Sequence, residues 1–250
     1  MPENTVVIYT AIFGGKDGLL PQKKIPGVDF ICFTDTPMRA SPWDVRMVPS
    51  KNRDPNRCAK EFKILPHRFL KEYDVSIWID GNFLVVGDVI DLVENVLAEN
   101  SMAAFDHNAT GFDARNCIYK EYESIMALMA GGEALKDDPE KMRCQVERYR
   151  KEGYPEEYGL ISGGVLLRRH KDTCLVRVME RWWNEIETGS RRDQLSFNYA
   201  TWVEQFKYGL IEGNIRHNRW FYMIGIHRKN YRKKILRYRL RRLLGLLHHR

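Results

Sequence analysis

The 250-residue sequence lacks the features that mark secreted, disulfide-bonded and membrane-spanning proteins. Its five cysteines are an odd number, lie far apart and include no Cys-x-x-Cys pair, which predicts reduced thiols and argues against zinc or redox motifs. No basic segment followed by an apolar run opens the chain, and no later run approaches roughly eighteen uninterrupted apolar residues. These absences predict a cytosolic protein that neither enters a secretory route nor spans a bilayer.

The net charge of +7 lies in the tail and not in the body of the chain. From Arg228 to Arg250 there are ten Lys and Arg and no acidic residue, so the remainder carries 30 basic and 33 acidic residues, about −3. A nucleic-acid-binding fold should carry positive charge on its body, and the sequence has no helix-turn-helix, zinc-finger or RNA-recognition signature. We therefore expect no nucleic-acid partner.

The basic tail also has a helical apolar pattern. Its apolar residues recur at three- and four-residue steps: Ile235, Leu236, Leu240, Leu243, Leu244 and Leu247. This pattern predicts a basic amphipathic helix that lies on an anionic membrane surface, and the alternative is a helix packed on the domain or on another subunit. We divide the chain accordingly into a domain over 1–227 and a tail over 228–250.

Two common nucleotide-binding fingerprints are absent, namely G-x-G-x-x-G and the P-loop. A strand predicted over 5–13 nevertheless runs into a glycine-rich loop over 14–18, and glycines after a first strand allow a ligand to approach the backbone. We expect Thr10, Ala11 and Phe13, at the end of this strand, to contact a bound nucleotide.

The centre of the sequence is a buried strand predicted over Val75 to Ile79, which ends at Asp80-Gly81-Asn82. Ligands of open α/β sheets bind at the carboxyl ends of the strands. A carboxylate and an amide two residues apart are able to share one cation and its phosphate-bearing ligand. The alternative is a polar turn that closes a hairpin.

Other polar residues follow predicted strands at the same kind of position. Asp35 ends a strand predicted over 29–35, and Asp106 and His107 follow a short strand predicted over 101–105. We predict that all three residues contact the bound nucleotide ligand, and the alternative is that they only form turns or cap a loop.

A predicted helix over 57–70, interrupted at Pro66, leads into the central strand. Arg57, Lys60 and Lys63 recur at a spacing of three and share one side, which a solvated basic face would also explain. Because the helix feeds directly into the strand that ends at Asp80, we expect Lys63 and His67 to reach the donor site.

Two later segments complete the candidate site. A buried strand after a turn at 159 carries Gly163 and Gly164. We expect glycine at these positions because a larger side chain would fill space that another group needs. Asp193 and Gln194 open an apolar helix; the helix dipole alone favours an acid there, so a cap is the alternative to a role in catalysis. Arg192 should hold Asp193 ionised.

Together these motifs resemble a glycosyltransferase-like domain-of-unknown-function family shared by bacterial surface-polysaccharide loci and plant mucilage and pollen proteins. More distantly the sequence is similar to glycogenin-type and lipopolysaccharide galactosyltransferase-type enzymes. The segments that carry the resemblance are KILPH at 63–67, SIWIDGN at 76–82, SGGVLLR at 162–168 and RDQLSF at 192–197. The resemblance implies a GT-A-like, Rossmann-type α/β fold with a mixed central sheet flanked by helices.

The resemblance also implies a nucleotide-sugar donor and a divalent cation, usually Mn²⁺ with Mg²⁺ as the other choice, held by an Asp-x-Asp motif. Here Asn82 replaces the last acid, so Asp80 and Asn82 would bind the cation more weakly. Metal-dependent relatives add a late histidine. His217 and His227 compete for that role, and we favour His227, which follows the apolar run over 220–226.

The function that the resemblance implies is transfer of a sugar from a UDP-sugar to a glycan or lipid-linked acceptor in surface-polysaccharide or lipopolysaccharide synthesis, at the inner face of the membrane. An inverting reaction would need a base such as Asp193, whereas a retaining one would place Gln194 or Asp193 near the anomeric carbon. A non-catalytic sugar-nucleotide-binding or glycan-binding protein is an alternative. A sugar nucleotidyltransferase is another, although the loop over 14–18 lacks the arginine typical of that class.

Overall fold

The computed structural model describes residues 5–50, 53–132, 137–225 and 231–245, and its central element is a mixed seven-stranded sheet. The strands are β1 Val6–Ile12, β2 Val28–Thr34, β3 Asp44–Met47, β4 Val75–Ile79, β5 Phe83–Val85, β6 Met102–Asp106, β7 Ile161–Arg168, β8 Gly209–Ile211 and β9 Phe221–Met223. The helices are α1 Pro55–Ile64, α2 Pro66–Phe69, α3 Val89–Val96, α4 Ile118–Ala130, α5 Pro139–Lys151, α6 Thr173–Thr188, α7 Phe197–Val203 and α8 Tyr231–Leu243. Short 3-10 helices cover His107–Thr110 and Asp193–Leu195.

The order of strands in the large sheet is β3-β2-β1-β4-β7-β6-β8. The first four are parallel, and β7 is antiparallel to both of its neighbours, β4 and β6. Consequently β6 runs in the same direction as β4, and the carboxyl ends of β1, β2, β4 and β6 lie at one edge of the sheet. The predicted α/β fold with a mixed central sheet flanked by helices is confirmed.

Apolar layers cover both faces of the sheet. Val89, Leu92 and Val93 of α3 pack on one face. On the other face, Phe62 of α1 and Trp182 of α6 pack against β1 and β4. Strands buried from both sides read as continuous apolar runs, which is why β4 was recognisable in the sequence.

The hairpin alternative for Asp80-Gly81-Asn82 is wrong. β4 pairs with β1 and β7, while β5 leaves the large sheet and pairs with β9. The tripeptide is therefore a junction between two sheets, at the edge where the parallel strands end.

The predicted break at Pro66 is confirmed. α1 begins with the Asp54 carboxylate accepting a hydrogen bond from Asn56 N, and it ends at Ile64. Proline restricts the residue before it and lacks an N–H for the helix, so the chain turns at Leu65 and starts α2. α4 begins at Ile118, and in the loop before it Asp113 binds Arg216.

The amphipathic tail helix is present as α8, and one of its faces packs on the domain. Tyr238 is buried against Tyr222, with ring centroids 4.5 Å apart, and lies in one apolar cluster with Leu20 and Leu84. The domain boundary predicted after residue 227 and the side chain of Leu247 lie outside the described residues, and the division into two parts stays a prediction. Within the described ranges, none of the helices has the length and hydropathy needed to cross a bilayer.

Candidate functional site

An ion cluster at the edge where the parallel strands end forms the core of the site. Lys60 Nζ donates to Asp193 Oδ1 at 2.6 Å, and Lys63 Nζ donates to Asp193 Oδ2 at 2.5 Å. Lys63 Nζ also lies 3.8 Å from Asp80 Oδ1. Lys63 is thus shared between Asp80, which follows β4, and Asp193, which lies 130 residues after Lys63 and opens the short 3-10 helix.

The pKa values in this cluster follow from burial and from the neighbouring charges. Burial alone would raise the pKa of Asp193, but Lys60 and Lys63 together hold it well below its usual range. Burial lowers the pKa of Lys60, whereas Asp193 and Asp80 outweigh burial at Lys63 and raise its pKa. The shifts favour the charged forms of Asp193 and Lys63, and both oxygens of Asp193 are engaged.

Asp80 is the carboxylate that remains open to solvent. Its side chain keeps 42% of its surface accessible, and Oδ1 accepts a hydrogen bond from Trp78 Nε1 at 2.9 Å. The surrounding protein and the negative charge of Asp193 raise the pKa of Asp80, and Lys63 opposes that shift. Asp80 is thus oriented by Trp78 and accessible to a ligand.

A buried chain of hydrogen bonds holds the backbone of Lys63. Arg168, which is fully buried in β7, donates to Tyr9 Oη, and Tyr9 Oη donates to the carbonyl oxygen of Lys63 at 2.9 Å. Burial raises the pKa of Tyr9 to about 12, so the phenol stays neutral and keeps its proton for this bond. The last turn of α1 is therefore tied to the middle of the sheet.

Trp182 of α6 fixes the other side of the cluster, since its Nε1 donates to the backbone oxygen of Asp193 at 3.0 Å. Gly163 leaves room for the ion pair: a Cβ there would lie 3.1 Å from Lys63 Nζ and 3.3 Å from Asp193 Oδ2. At Gly164 a Cβ would lie 3.0 Å from the Phe83 ring. Gly163 thus lies against the ion pair and Gly164 against the start of β5, so a larger side chain at either position would meet these groups.

Arg192 does not hold Asp193 as the sequence predicted. Its guanidinium donates to Glu121 at 2.7 Å, and two lysines of α1 take its place beside Asp193. The solvated-face alternative for α1 is wrong for the same reason. Within the described residues, the Asp193 side chain accepts hydrogen bonds from the two lysines and not from a backbone N–H of the helix that it opens.

Asp80 and Asn82 offer two of the oxygen ligands that a divalent cation needs. Asn82 Nδ2 donates to Gly225 O at 3.4 Å, while Asn82 Oδ1 is buried and has no hydrogen-bond partner in the described ranges. An unpaired amide oxygen two residues from the accessible carboxylate of Asp80 is a suitable pair of hard ligands.

The described residues contain no group of three or more His, Cys, Asp or Glu side chains that could hold a metal ion. His227 lies outside them, and the exposed His217 forms a β-bridge with Tyr222. His227 therefore stays a predicted ligand.

The residues predicted at the ends of β1 and β2 are placed as follows. Thr10 is buried with an unpartnered hydroxyl in the described part of the chain, and Ala11 is half-buried beside it. Phe13 packs on Phe62, with centroids 5.6 Å apart. Asp35 accepts hydrogen bonds from Gly14 N at 3.0 and 3.1 Å and so closes the glycine loop onto β2. Phe13 and Asp35 thus have structural partners, and their donor contacts stay predictions.

His67 and the residues after β6 also have structural partners. His67 Nε2 lies 2.8 Å from Glu180 Oε1, which turns the ring towards α6 and away from the ion cluster. Asp106 accepts from Asn108 N at 2.9 Å and caps the 3-10 helix, the alternative weighed for it. His107 is buried, and its backbone N donates to Leu160 O at 2.8 Å.

Gln194 lies close by, because its Nε2 donates to Ile161 O at 3.2 Å. The candidate catalytic pair Asp193 and Gln194 is therefore brought next to Lys63, Asp80 and the two glycines of β7.

Comparison with known proteins places the sequence in a family. The profile of the TOD1/MUCI70, glycosyltransferase-like domain matches residues 33–210, which include Lys63, Asp80 and Asp193. The chain belongs to the TOD1/MUCI70 glycosyltransferase-like domain family. The resemblance stated from the sequence motifs is confirmed.

A curated relative of this TOD1/MUCI70 domain is the "Probable hexosyltransferase MUCI70" of Arabidopsis thaliana, 30% identical over 158 residues, or 58% of this chain and 25% of the relative. The chain thus spans a quarter of that relative's length. Two solved structures of the glycosyltransferase GlyE from Streptococcus pneumoniae TIGR4, one of them the apo form, align with 14% and 13% identity and TM-scores of 0.42 and 0.43. Each alignment covers 84% of this chain and 45% of the other.

We predict that Asp193→Asn lowers the free energy of unfolding by about 2 kcal/mol or more at pH 7, because two largely buried ammonium groups lose their counterion. The pKa of Asp193 is lowered in the fold, so its stabilising effect is present above the unfolded value of about 3.9 and is lost as the pH falls further. The difference between parent and variant should thus stay constant from pH 8 to about pH 4. Urea unfolding at several pH values measures it.

Asp106→Asn is the matched control, because Asp106 caps a short helix and asparagine caps about as well as aspartate. We expect its change to stay within about 0.5 kcal/mol. An Asp193→Asn protein as stable as this control would contradict the ion cluster.

Proposed function

We propose that the chain is a glycosyltransferase that moves a hexose from a nucleotide-sugar donor, in particular a UDP-sugar, to a glycan or lipid-linked acceptor in surface-polysaccharide or lipopolysaccharide synthesis. The observation that carries the proposal is Lys63, a buried ammonium shared between Asp80 and Asp193 at the ligand-binding edge of the sheet. Family membership and the similarity to a probable hexosyltransferase support it.

The charge arrangement suits the departure of a nucleoside diphosphate. Breaking the bond between the sugar and the diphosphate leaves negative charge on phosphate oxygens, and fixed cations stabilise such charge as it develops. Lys63 is held in place by two carboxylates and by the Tyr9 bond to its backbone. We assign it to the diphosphate, with Asp80 and Asn82 on the same side.

Asp80 and Asn82 are the residues that would hold a divalent cation, Mn²⁺ or Mg²⁺. Such a cation supplies further neutralisation of phosphate charge. Within the chain, Trp78 orients Asp80 and Gly225 orients the Asn82 amide, so that the two oxygen ligands are arranged before a donor binds.

We assign Asp193 to positioning and electrostatics. A carboxylate whose pKa lies well below its usual range, with each oxygen bound to a lysine, is a weak proton acceptor. The side-chain amide of Gln194 donates a hydrogen bond to Ile161 O. We assign its carbonyl oxygen to a sugar hydroxyl or to the region of the anomeric carbon.

We predict that Asp80→Ala removes metal-supported hydrolysis of UDP-hexoses and weakens UDP binding in the presence of Mn²⁺ by about tenfold or more, because it removes the charged ligand. Asn82→Asp should tighten Mn²⁺ binding, because it adds a second charge. Calorimetry of Mn²⁺ and UDP, with hydrolysis and transfer of labelled UDP-hexoses measured separately, checks both.

Asp88→Asn provides the control, since Asp88 only caps α3 and asparagine preserves that cap. Parent-like UDP and Mn²⁺ binding by Asp80→Ala would sink the site assignment. Donor binding without hydrolysis or transfer would favour a binding protein, and formation of UDP-sugar from UTP and sugar phosphate would favour a nucleotidyltransferase.

We further propose that α8 rests on an anionic membrane surface at the cytoplasmic face. Its outer side presents the exposed leucines Leu236, Leu240 and Leu243, and the exposed Leu244 follows its last residue. The exposed Arg237, Arg239 and Arg241 lie between them. Apolar side chains set among basic ones are the pattern of interfacial helices, and each base near an anionic surface contributes about 1 kcal/mol.

We predict that Leu240→Glu weakens flotation with vesicles that contain anionic lipid, because it places a charge in the apolar stripe, and that high salt weakens the parent in the same way. Leu128→Glu is matched to it, since Leu128 and Leu240 are both 50% exposed but Leu128 lies on α4. Equal flotation of the two variants, or none by the parent, would disprove the membrane role.

A further inference from the structure

The loop between β6 and α4 presents an unusually accessible aromatic ring. Phe112 is 97% exposed, the highest exposure of any large apolar side chain in the described ranges. A single exposed apolar residue is common on protein surfaces and needs no explanation by itself. Phe112 differs because the side chains around it hold its loop in place.

Arg216 provides most of that support. Its guanidinium lies over the Phe112 ring, 5.4 Å from the centroid, and it binds Asp113 at 2.5 Å and Thr110 O at 3.0 Å. Asn214 donates to the same Thr110 oxygen at 3.1 Å. The backbone on either side of Phe112 is thus fixed, a cation lies near the ring, and the ring itself stays almost fully open to solvent.

The loop lies beside the candidate catalytic pair. His107 N, at its start, donates to Leu160 O, and Gln194 Nε2 donates to the oxygen of the next residue, Ile161. Because β6 runs parallel to β4, the loop leaves the sheet at the edge where Asp80 lies. The loop that carries Phe112 therefore begins beside the residues that bind Gln194, and its contacts with Asn214 and Arg216 place it on the β6–β8 side of the sheet, away from β1.

The distance between β4 and β6 favours binding of the acceptor sugar, and not of the nucleotide-sugar donor, beside Phe112. β6 is two strands from β4, which is about 10 Å across the sheet. The diphosphate side of the proposed site, at Lys63 and Asp80, lies towards β1 and β4. A sugar on the β6 side of Gln194 would thus approach the reacting centre from the direction opposite to the nucleotide.

We propose that the open face of Phe112 is a stacking platform for a neutral hexopyranose ring of the acceptor. The C–H-bearing face of such a sugar presents weakly positive hydrogens to the negative face of an aromatic ring. This inference rests on the proposed transferase function for its meaning, but sugar binding at the ring is measurable without any turnover.

The test is saturation-transfer NMR with the methyl α- and β-pyranosides of glucose, galactose and mannose. The parent and Phe112→Tyr should saturate the protons on one face of at least one glycoside, because both keep the ring. Phe112→Ala should reduce the effect about tenfold. Leu128→Ala removes another exposed apolar side chain on the neighbouring helix α4 and should behave as the parent. A parent that binds none of the glycosides, or an alanine variant that binds as well, would overturn the proposal.

UDP binding separates this inference from the proposed function. Phe112→Ala should bind UDP and hydrolyse UDP-hexose within about twofold of the parent, while transfer to a saccharide acceptor falls about tenfold. An equal loss in both reactions would overturn the acceptor role, since the loop would then support the donor site. A parent that binds glycosides at Phe112 but neither binds nor hydrolyses UDP-hexoses would refute the transferase and leave the sugar platform in place.

Discussion

The site depends on a buried carboxylate that is shared by two lysines. Taking charges out of water is costly, and an ion pair in the interior is stable only when its partners are close and well oriented. Asp193 meets this condition because Lys60 and Lys63 lie one helical turn apart on α1 and each binds a different oxygen. The same pairing keeps Lys63 within reach of Asp80, so the requirement for charge balance in the interior also shapes the ligand-binding edge.

The fold supplies the supports that this cluster needs. Pro66 ends α1 where Lys63 meets the sheet, and Tyr9, itself bound by the buried Arg168, holds the backbone of that turn. Gly163 leaves the space that the two charged side chains occupy. In the proposed reaction, a cation fixed in this way would not have to reorganise as negative charge develops, and such preorganisation is usually the largest electrostatic contribution to catalysis.

The sequence predicted the parts that follow from local pattern. The strand that ends at Asp80 was recognisable because a short β-branched and aromatic run precedes the polar turn. The role of Lys60 was not recognisable, since helical spacing shows that basic residues share a side but not whether that side meets solvent or a distant carboxylate. Adjacency in sequence suggests Arg192 as the charged partner of Asp193, whereas the partners in the structure, Lys63 and Lys60, are 130 and 133 residues away. Tyr9 and Arg168 gave no signal, because buried polar chains across a sheet are defined only by tertiary structure.

A double-mutant cycle of Lys63→Met and Asp193→Asn, read as the free energy of unfolding at pH 7, tests the central interaction most directly. If the two groups form the buried pair described, the double variant should lose less stability than the sum of the single changes, with a coupling of about 1 to 3 kcal/mol. Lys63→Met leaves Asp193 with Lys60 alone, and Asp193→Asn removes the shared carboxylate from both lysines. In the double variant only Lys60 has lost that carboxylate, because position 63 no longer carries an ammonium. Single changes that add to within about 0.5 kcal/mol would contradict the account.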